Sequence, residues 1–143
     1  MTELLSGAIC GYDTVSISSY RQATMSSTMT SETDHLQVSI DDLLQLRAPN
    51  VYLVKVEGDS MQGAGIYTGD LLVVDRLAEP KSGSIIIAAL NGEATCKRMV
   101  IRDRQVVLVP DNPKFPSRYI LEGDHFEVWG VVTHSIRDHD RRL

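Results

Sequence analysis

The sequence predicts a mainly β fold: a folded-over, partly barrel-like sheet with one short helix and a flexible N-terminal arm. Three observations lead there. After Asn50 the chain contains seven short runs rich in β-branched residues, with apolar residues recurring at a period of two. Asn91-Gly92 separates two of these runs, and that dipeptide signals a tight hairpin because both residues tolerate positive φ. The first 34 residues are different in kind, dominated by Ser and Thr.

Taken in order, the arm comes first. Its segment "SISSYRQATMSSTMTSET" has few large apolar side chains and cannot bury enough surface to offset its ordering entropy. Residues 1–34 are therefore expected to form the arm, and residues 35–143 a single folded domain. A short helix should follow in "SIDDLLQLRAP". Ser39 is its N-cap, and Asp41 and Asp42 lie in the first turn near the positive end of the dipole. Leu43, Leu44 and Leu46 supply its apolar face, and Pro49 ends it because the residue before proline avoids the helical region. The strands are then "VYLVKV", "DLLVVD", "SIIIAAL", "ATCKRMVI", "QVVLVP", "RYILE" and "FEVWGVVTHSI". "PDNPKFPS" is a proline-rich turn, and "RDHDRRL" reads as a charged, frayed end. So many short strands at close spacing imply a sheet that folds over on itself.

Composition narrows the function. A chain of 143 residues, 43% hydrophobic, can bury a real core. Its net charge of -5 argues against nucleic acid as the principal ligand and against direct sequence-specific DNA binding. The two cysteines, Cys10 and Cys96, show no disulfide framework, and Cys96 reads as a small buried hydrophobe. His35, His125, His134 and His139 lack ligand spacing apart from a weak "HSIRDH" near the end, so no metal and no cofactor are expected. No apolar run is long enough for a transmembrane helix, and "MTELLSGAIC" has no basic region of the secretory kind. The expectation is a cytoplasmic protein without membrane attachment.

One serine stands out. Ser60 lies in "KVEGDSMQGAGIYTGDLLVVDR", between a strand and a loop containing Gly63, Gly65 and Gly69. A serine at a strand end can present its hydroxyl and nearby backbone N–H groups to one point, which suits nucleophilic attack with oxyanion stabilisation. A turn serine making a local hydrogen bond would look similar. The nucleophile needs a base. His125 and His134 lie in the C-terminal strand region, but neither has a flanking pattern that marks catalysis. Lys97 lies in "EATCKRMV", where alternation puts Thr95, Lys97 and Met99 on one face and Cys96, Arg98 and Val100 on the other. Burial disfavours an ammonium ion, and a neutral amine can accept a serine proton. The alternative is an amine that snorkels to water.

Taken together, "VEGDSMQGAGIYTGDLLVVDR", "GSIIIAALNGEATCKRMV" and "VLVPDNPKFPSRYILEGDHFEVWGVVTHSIR" resemble the LexA/UmuD family of self-cleaving serine peptidases, and the short UmuD-like branch in particular. The likeness runs from about Asp34 to Arg137. It implies a LexA-type peptidase sheet with Ser60 as nucleophile, Lys97 as general base, and the backbone N–H groups around Ser60 and Met61 as oxyanion donors. Members cut their own arm at an Ala-Gly or Cys-Gly bond, stimulated by RecA–single-stranded-DNA filaments. The arm here contains Cys10-Gly11, whereas the stretch aligned with the usual cleavage position, residues 26–31, holds no such dipeptide. A flexible span of about 22 residues extends ~25 Å, enough to bring residue 10 to Ser60 on a domain of radius of gyration near ~13 Å. The resemblance further implies a homodimer that joins a UmuC-type Y-family translesion DNA polymerase once processed. Three other readings compete. A LexA-like repressor needs a DNA-binding domain for which residues 1–34 are too short and polar. A signal-peptidase-like enzyme needs a membrane anchor. A non-cleaved polymerase-binding module keeps the partner and drops the chemistry.

Overall fold

In a computed structural model, which describes residues 8–9, 13–17 and 39–140, the strands form one antiparallel sheet of nine members. They are β1 (Ala8–Ile9), β2 (Asp13–Ile17), β3 (Val51–Glu57), β4 (Leu71–Asp75), β5 (Ile85–Leu90), β6 (Glu93–Arg102), β7 (Gln105–Val109), β8 (Arg118–Tyr119) and β9 (Phe126–Ile136). Their spatial order is β1-β2-β3-β4-β9-β5-β6-β7-β8. β3 to β9 are the seven strands expected from the alternation. β1 and β2 fall within the first 34 residues, where the sequence announced no strand.

The sheet is open rather than a closed barrel, with β1 and β8 as its two ends. It still folds over, because β1 and β2 come close to β6, far along the strand order. β9 makes this possible. Its C-terminal half pairs with β4 and its N-terminal half with β5, and each ladder carries one irregularity, at Val73/Val74 and at Ile87/Ala88. Such bulges add local twist and bend. At the crossover sits Gly130, where a Cβ would lie 2.5 Å from Val74 Cγ1 and 2.9 Å from the Asp75 carbonyl. No side chain fits there, and that lets two neighbouring strands share β9.

Alternation along β5 and β6 divides the apolar residues between two cores. Ile87, Ala94 and Cys96 join Val54, Val56, Met61, Ile66, Leu72 and Val74. Ile86, Ala88 and Met99 join Leu108. Cys96 is buried, in keeping with its reading as a small hydrophobe.

Turn chemistry explains the connections. Asn91 and Gly92 have φ of 52° and 85° and link β5 to β6 in a two-residue hairpin. The β6–β7 hairpin does the same with Asp103 and Arg104, at φ 49° and 67°. The helix α1 (Ile40–Leu44) is capped by Ser39 as expected, but it stops earlier. Gln45 turns left-handed at φ 55°, and its N–H returns to the carbonyls of Asp41 and Asp42, so the helix ends before Pro49 can act. With so short a helix only Leu44 is buried, while Leu43 remains exposed.

Candidate active site

The site is built where β3 stops. Gly58, at φ 115°, turns the chain out of the sheet. Its N–H donates to Thr68 Oγ1 at 2.8 Å, and the same hydroxyl donates to the Gly58 carbonyl at 3.0 Å. The bend therefore closes on itself across ten residues. Met61 and Ile66 plug into the first core on either side of a single 3-10 turn, Gln62–Ala64. Ser60 lies between the Gly58 lock and the Met61 anchor and is 2% exposed. The loop containing Gly63, Gly65 and Gly69 is thus fixed by buried side chains.

Lys97 reaches this serine from β6. Its register partner is Ile86 on β5. Lys97 is half-buried, and its Nζ donates to Ser60 Oγ at 2.8 Å and to the Cys96 carbonyl at 3.2 Å. The two residues singled out from sequence, 37 positions apart, are therefore in direct contact. Once the amine is neutral, the same contact can run in reverse, with the hydroxyl donating to the nitrogen lone pair. Two positions before Lys97, Thr95 Oγ1 is buried with no hydrogen-bond partner among the described residues.

The two histidines weighed as bases, His125 and His134, make their contacts elsewhere. His125 is exposed, and its backbone N–H donates to Asn91 Oδ1 at 2.9 Å. His134 is exposed on β9 opposite Val73, with Nδ1 3.0 Å from Thr133 Oγ1. The described geometry offers the serine a lysine. Among the described residues no group of three His, Cys, Asp or Glu side chains has the geometry to hold a metal ion. No helix there is long and apolar enough to cross a membrane.

Sequence reasoning missed one support of the bend. Arg137, in the stretch read as a frayed end, donates through Nε to Asp70 Oδ1 at 3.0 Å and through Nη2 to Asp70 Oδ2 at 3.0 Å. Nη2 also donates to the Gly65 carbonyl at 2.7 Å, and the guanidinium lies 4.1 Å from the centroid of the Tyr67 ring. Asp70 is 1% exposed and accepts from the Tyr67 N–H at 2.9 Å. Its hydrogen bonds raise the Arg137 pKa above the ordinary value. The residue pattern of a charged tail gave no local sign of this, since the partners are 67 residues away.

Cys10 and Gly11 lie outside the described residues. The strands that bracket them do not. β1 pairs with β2 through Ala8–Thr14 and Ile9–Asp13, and β2 pairs with β3 through Thr14–Glu57 to Ile17–Val54. β2 thus starts beside the end of β3 from which the Ser60 bend departs.

Comparison with known proteins follows this geometry. The family model for "Peptidase S24-like" proteins matches residues 16–133. Protein MucA of Salmonella typhimurium is 44% identical over 89 residues, covering 62% of this chain and 60% of MucA. Protein ImpA of Salmonella typhimurium is 41% identical over 91 residues, covering 63% of this chain and 61% of ImpA. The LexA repressor of Bordetella pertussis is 38% identical over 117 residues, covering 82% of this chain and 54% of the repressor. The chain spans about 60% of the length of MucA and ImpA and about half that of LexA. With a family model matched across most of its length, from before β3 to within β9, the chain belongs to the peptidase S24-like family, in company with MucA, ImpA and LexA.

Proposed function

We propose that this protein is a self-cleaving serine peptidase of the UmuD type, with Ser60 as nucleophile and Lys97 as general base. The observation that carries the proposal is the 2.8 Å contact between Lys97 Nζ and Ser60 Oγ. The neutral amine takes the hydroxyl proton as Oγ bonds to the carbonyl carbon of the scissile residue. Backbone N–H groups of Ser60 and Met61 receive the developing oxyanion. The C–N bond then breaks, and the Lys97 ammonium returns the proton to the departing amine. Water, deprotonated by the same lysine, hydrolyses the ester and restores Ser60.

The scissile bond we assign is Cys10–Gly11. β1 and β2 flank it, and β2 starts beside the end of β3 that leads into the Ser60 bend, running antiparallel to β3 from there. Tethering raises the local concentration of this bond and makes the reaction a single-use switch. Following the family resemblance, RecA–single-stranded-DNA filaments stimulate the cut. The processed homodimer then serves a UmuC-type translesion polymerase in the cytoplasm.

The test is intact-mass measurement after incubation at raised pH, where lysine amines lose their protons, and after incubation with RecA, ATP and single-stranded DNA. A product lacking the first ten residues supports the whole reading. Ser60→Ala and Lys97→Ala should each abolish that product and leave the fold intact. Cleavage of Lys97→Ala at the normal rate would remove lysine from the mechanism. An unchanged mass under all conditions would leave a binding module in place of an enzyme.

A further inference from the structure

We infer that Arg98, Asp111 and Asn112 form a brace that sets the distance between Ser60 and Lys97, and that these are positioning residues for self-cleavage. The inference rests on the Ser60–Lys97 reading. It starts from the "PDN" turn after β7, which that reading leaves without a role.

The contacts form one connected path. Arg98 is the immediate neighbour of Lys97 on β6. Its Nε donates to Asp111 Oδ1 and Oδ2, each at 3.2 Å, and its Nη2 donates to Oδ2 at 2.6 Å. Its Nη1 donates to the Gly83 carbonyl at 2.6 Å. The guanidinium is therefore held at both ends, and the bond to Asp111 raises its pKa above the ordinary value. The Asp111 backbone carbonyl accepts from the Gly63 N–H at 2.6 Å. Asn112 Nδ2 donates to the Asp59 carbonyl at 2.9 Å, while its Oδ1 accepts from the Lys114 N–H at 3.0 Å.

Two consecutive residues thus grip the nucleophile bend on both sides of Ser60, at Asp59 and at Gly63. Arg98 ties Asp111, and through the chain its neighbour Asn112, to the strand that carries the base. Gly63 fits this arrangement because a Cβ there would run into the Asp111 carbonyl. That oxygen is backbone, so it cannot swing aside as a side chain would. Displacement of a reacting pair by about 1 Å costs roughly a hundredfold in rate. A brace of this kind therefore acts on the reaction without touching the scissile bond.

The experiment uses the full chain and three variants: Asn112→Ala, Gly63→Ala and the double variant. Self-cleavage is measured at alkaline pH, below the melting transition of each protein, so that every sample is folded. Each single variant should cleave roughly ten- to a hundredfold more slowly than the parent. The double variant should be little worse than the slower single one, because both break the same brace. Rates within about twofold of the parent, or rate losses that multiply in the double variant, would overturn the inference. A second measurement does not need cleavage. In a Ser60→Ala background, Asn112→Ala should speed hydrogen exchange of the Gly63 amide by about tenfold or more, with the amides of Ile86 and Ile87 unchanged. Unchanged exchange at Gly63 would equally overturn the brace. Failure of the parent to cleave, with Gly63 exchange responding as stated, would instead reject the peptidase reading and leave the brace standing.

Discussion

Tyr52 sets an alkaline limit on this fold, and its size follows from the structure. The ring packs against the first core, and its hydroxyl donates to the Trp129 carbonyl at 3.3 Å. Burial pushes the phenol up to about 12, against a smaller opposing pull from the Arg76 charge. An unfolded tyrosine loses its proton near pH ~10. Between those values the folded state still holds a proton that the unfolded chain has released, so stability falls as the pH rises through the window. The contribution is complete below pH ~10 and gone above pH ~12. Two units at 1.36 kcal/mol each give about 2.7 kcal/mol, and the partial exposure of the ring reduces this to about 1–2 kcal/mol. The test compares Tyr52→Phe with its parent, both in a Ser60→Ala background so that no chain is cut. Urea unfolding is followed by the fluorescence of Trp129, the single tryptophan. Near pH 8 the variant should be weaker by about 0.5–1.5 kcal/mol, the net worth of one hydrogen bond. Near pH ~12 it should equal or exceed the parent, since every other titrating group is shared and cancels. A gap between the two proteins that stays constant from pH ~8 to ~12 would refute the argument. Alkaline cleavage trials therefore belong below pH ~10, where this loss has not begun.

Two further outcomes are expected. Gly130→Ala should destabilise the protein by about 1–3 kcal/mol, read as a lower urea midpoint, because its Cβ would meet the Val74 side chain and the Asp75 carbonyl. A midpoint equal to the parent's would mean that β9 does not pass β4 this closely. Asp75 accepts from Asn50 Nδ2 at 2.6 Å and from the Leu77 N–H at 2.9 Å, and these bonds hold its carboxyl below the usual range, the Asn50 bond contributing most. Its stabilisation is complete above the unfolded carboxylate value near pH ~4 and disappears as pH falls through the lower folded value. Asp75→Asn should flatten this part of the acid limb in denaturation followed by circular dichroism, and an unaltered limb would reject the assignment.

Of the seven strands from Val51 onward, β3 was legible because burial alternates along it, and β4 and β5 because short β-branched runs are buried on both faces; β8, exposed at both residues, was legible from residue type alone. Asn91-Gly92 was legible because its φ values are written into residue type. Asp103-Arg104 adopts the same turn without a glycine, so its sequence carries no such mark. β1 and β2 were missed because strands of two and five residues, set in a Ser- and Thr-rich segment, owe their existence to the edge they pair with more than to their own composition. Ser60 and Lys97 were found through their motifs, and their proximity depends on a bend that two buried apolar side chains anchor. Arg137, Asp111 and Asn112 were not found. Each acts through a partner distant in sequence, at Asp70, Gly63 or Asp59, and a pairing of that kind leaves no local periodicity.

The proposed cut has a direction built into the sheet. β1 is held to β2 by only two residue pairs, Ala8–Thr14 and Ile9–Asp13, whereas β2 is paired with β3 at four positions. A bond broken between residues 10 and 11 severs the covalent link between these strands. Beyond that ladder β1 has its approach to β6, and without the covalent link this short strand has little to offset the entropy of holding a separate peptide. β1 would therefore leave while β2 stays on β3. The departing segment takes with it the carboxyl product of the cut, so religation has no second reactant in place. β2 would then become the outer edge of the sheet, with hydrogen-bonding groups no longer covered by β1. One hydrolysis thus changes both the reversibility of the reaction and the surface that the protein presents to a partner, which is what a switch requires and a turnover catalyst does not.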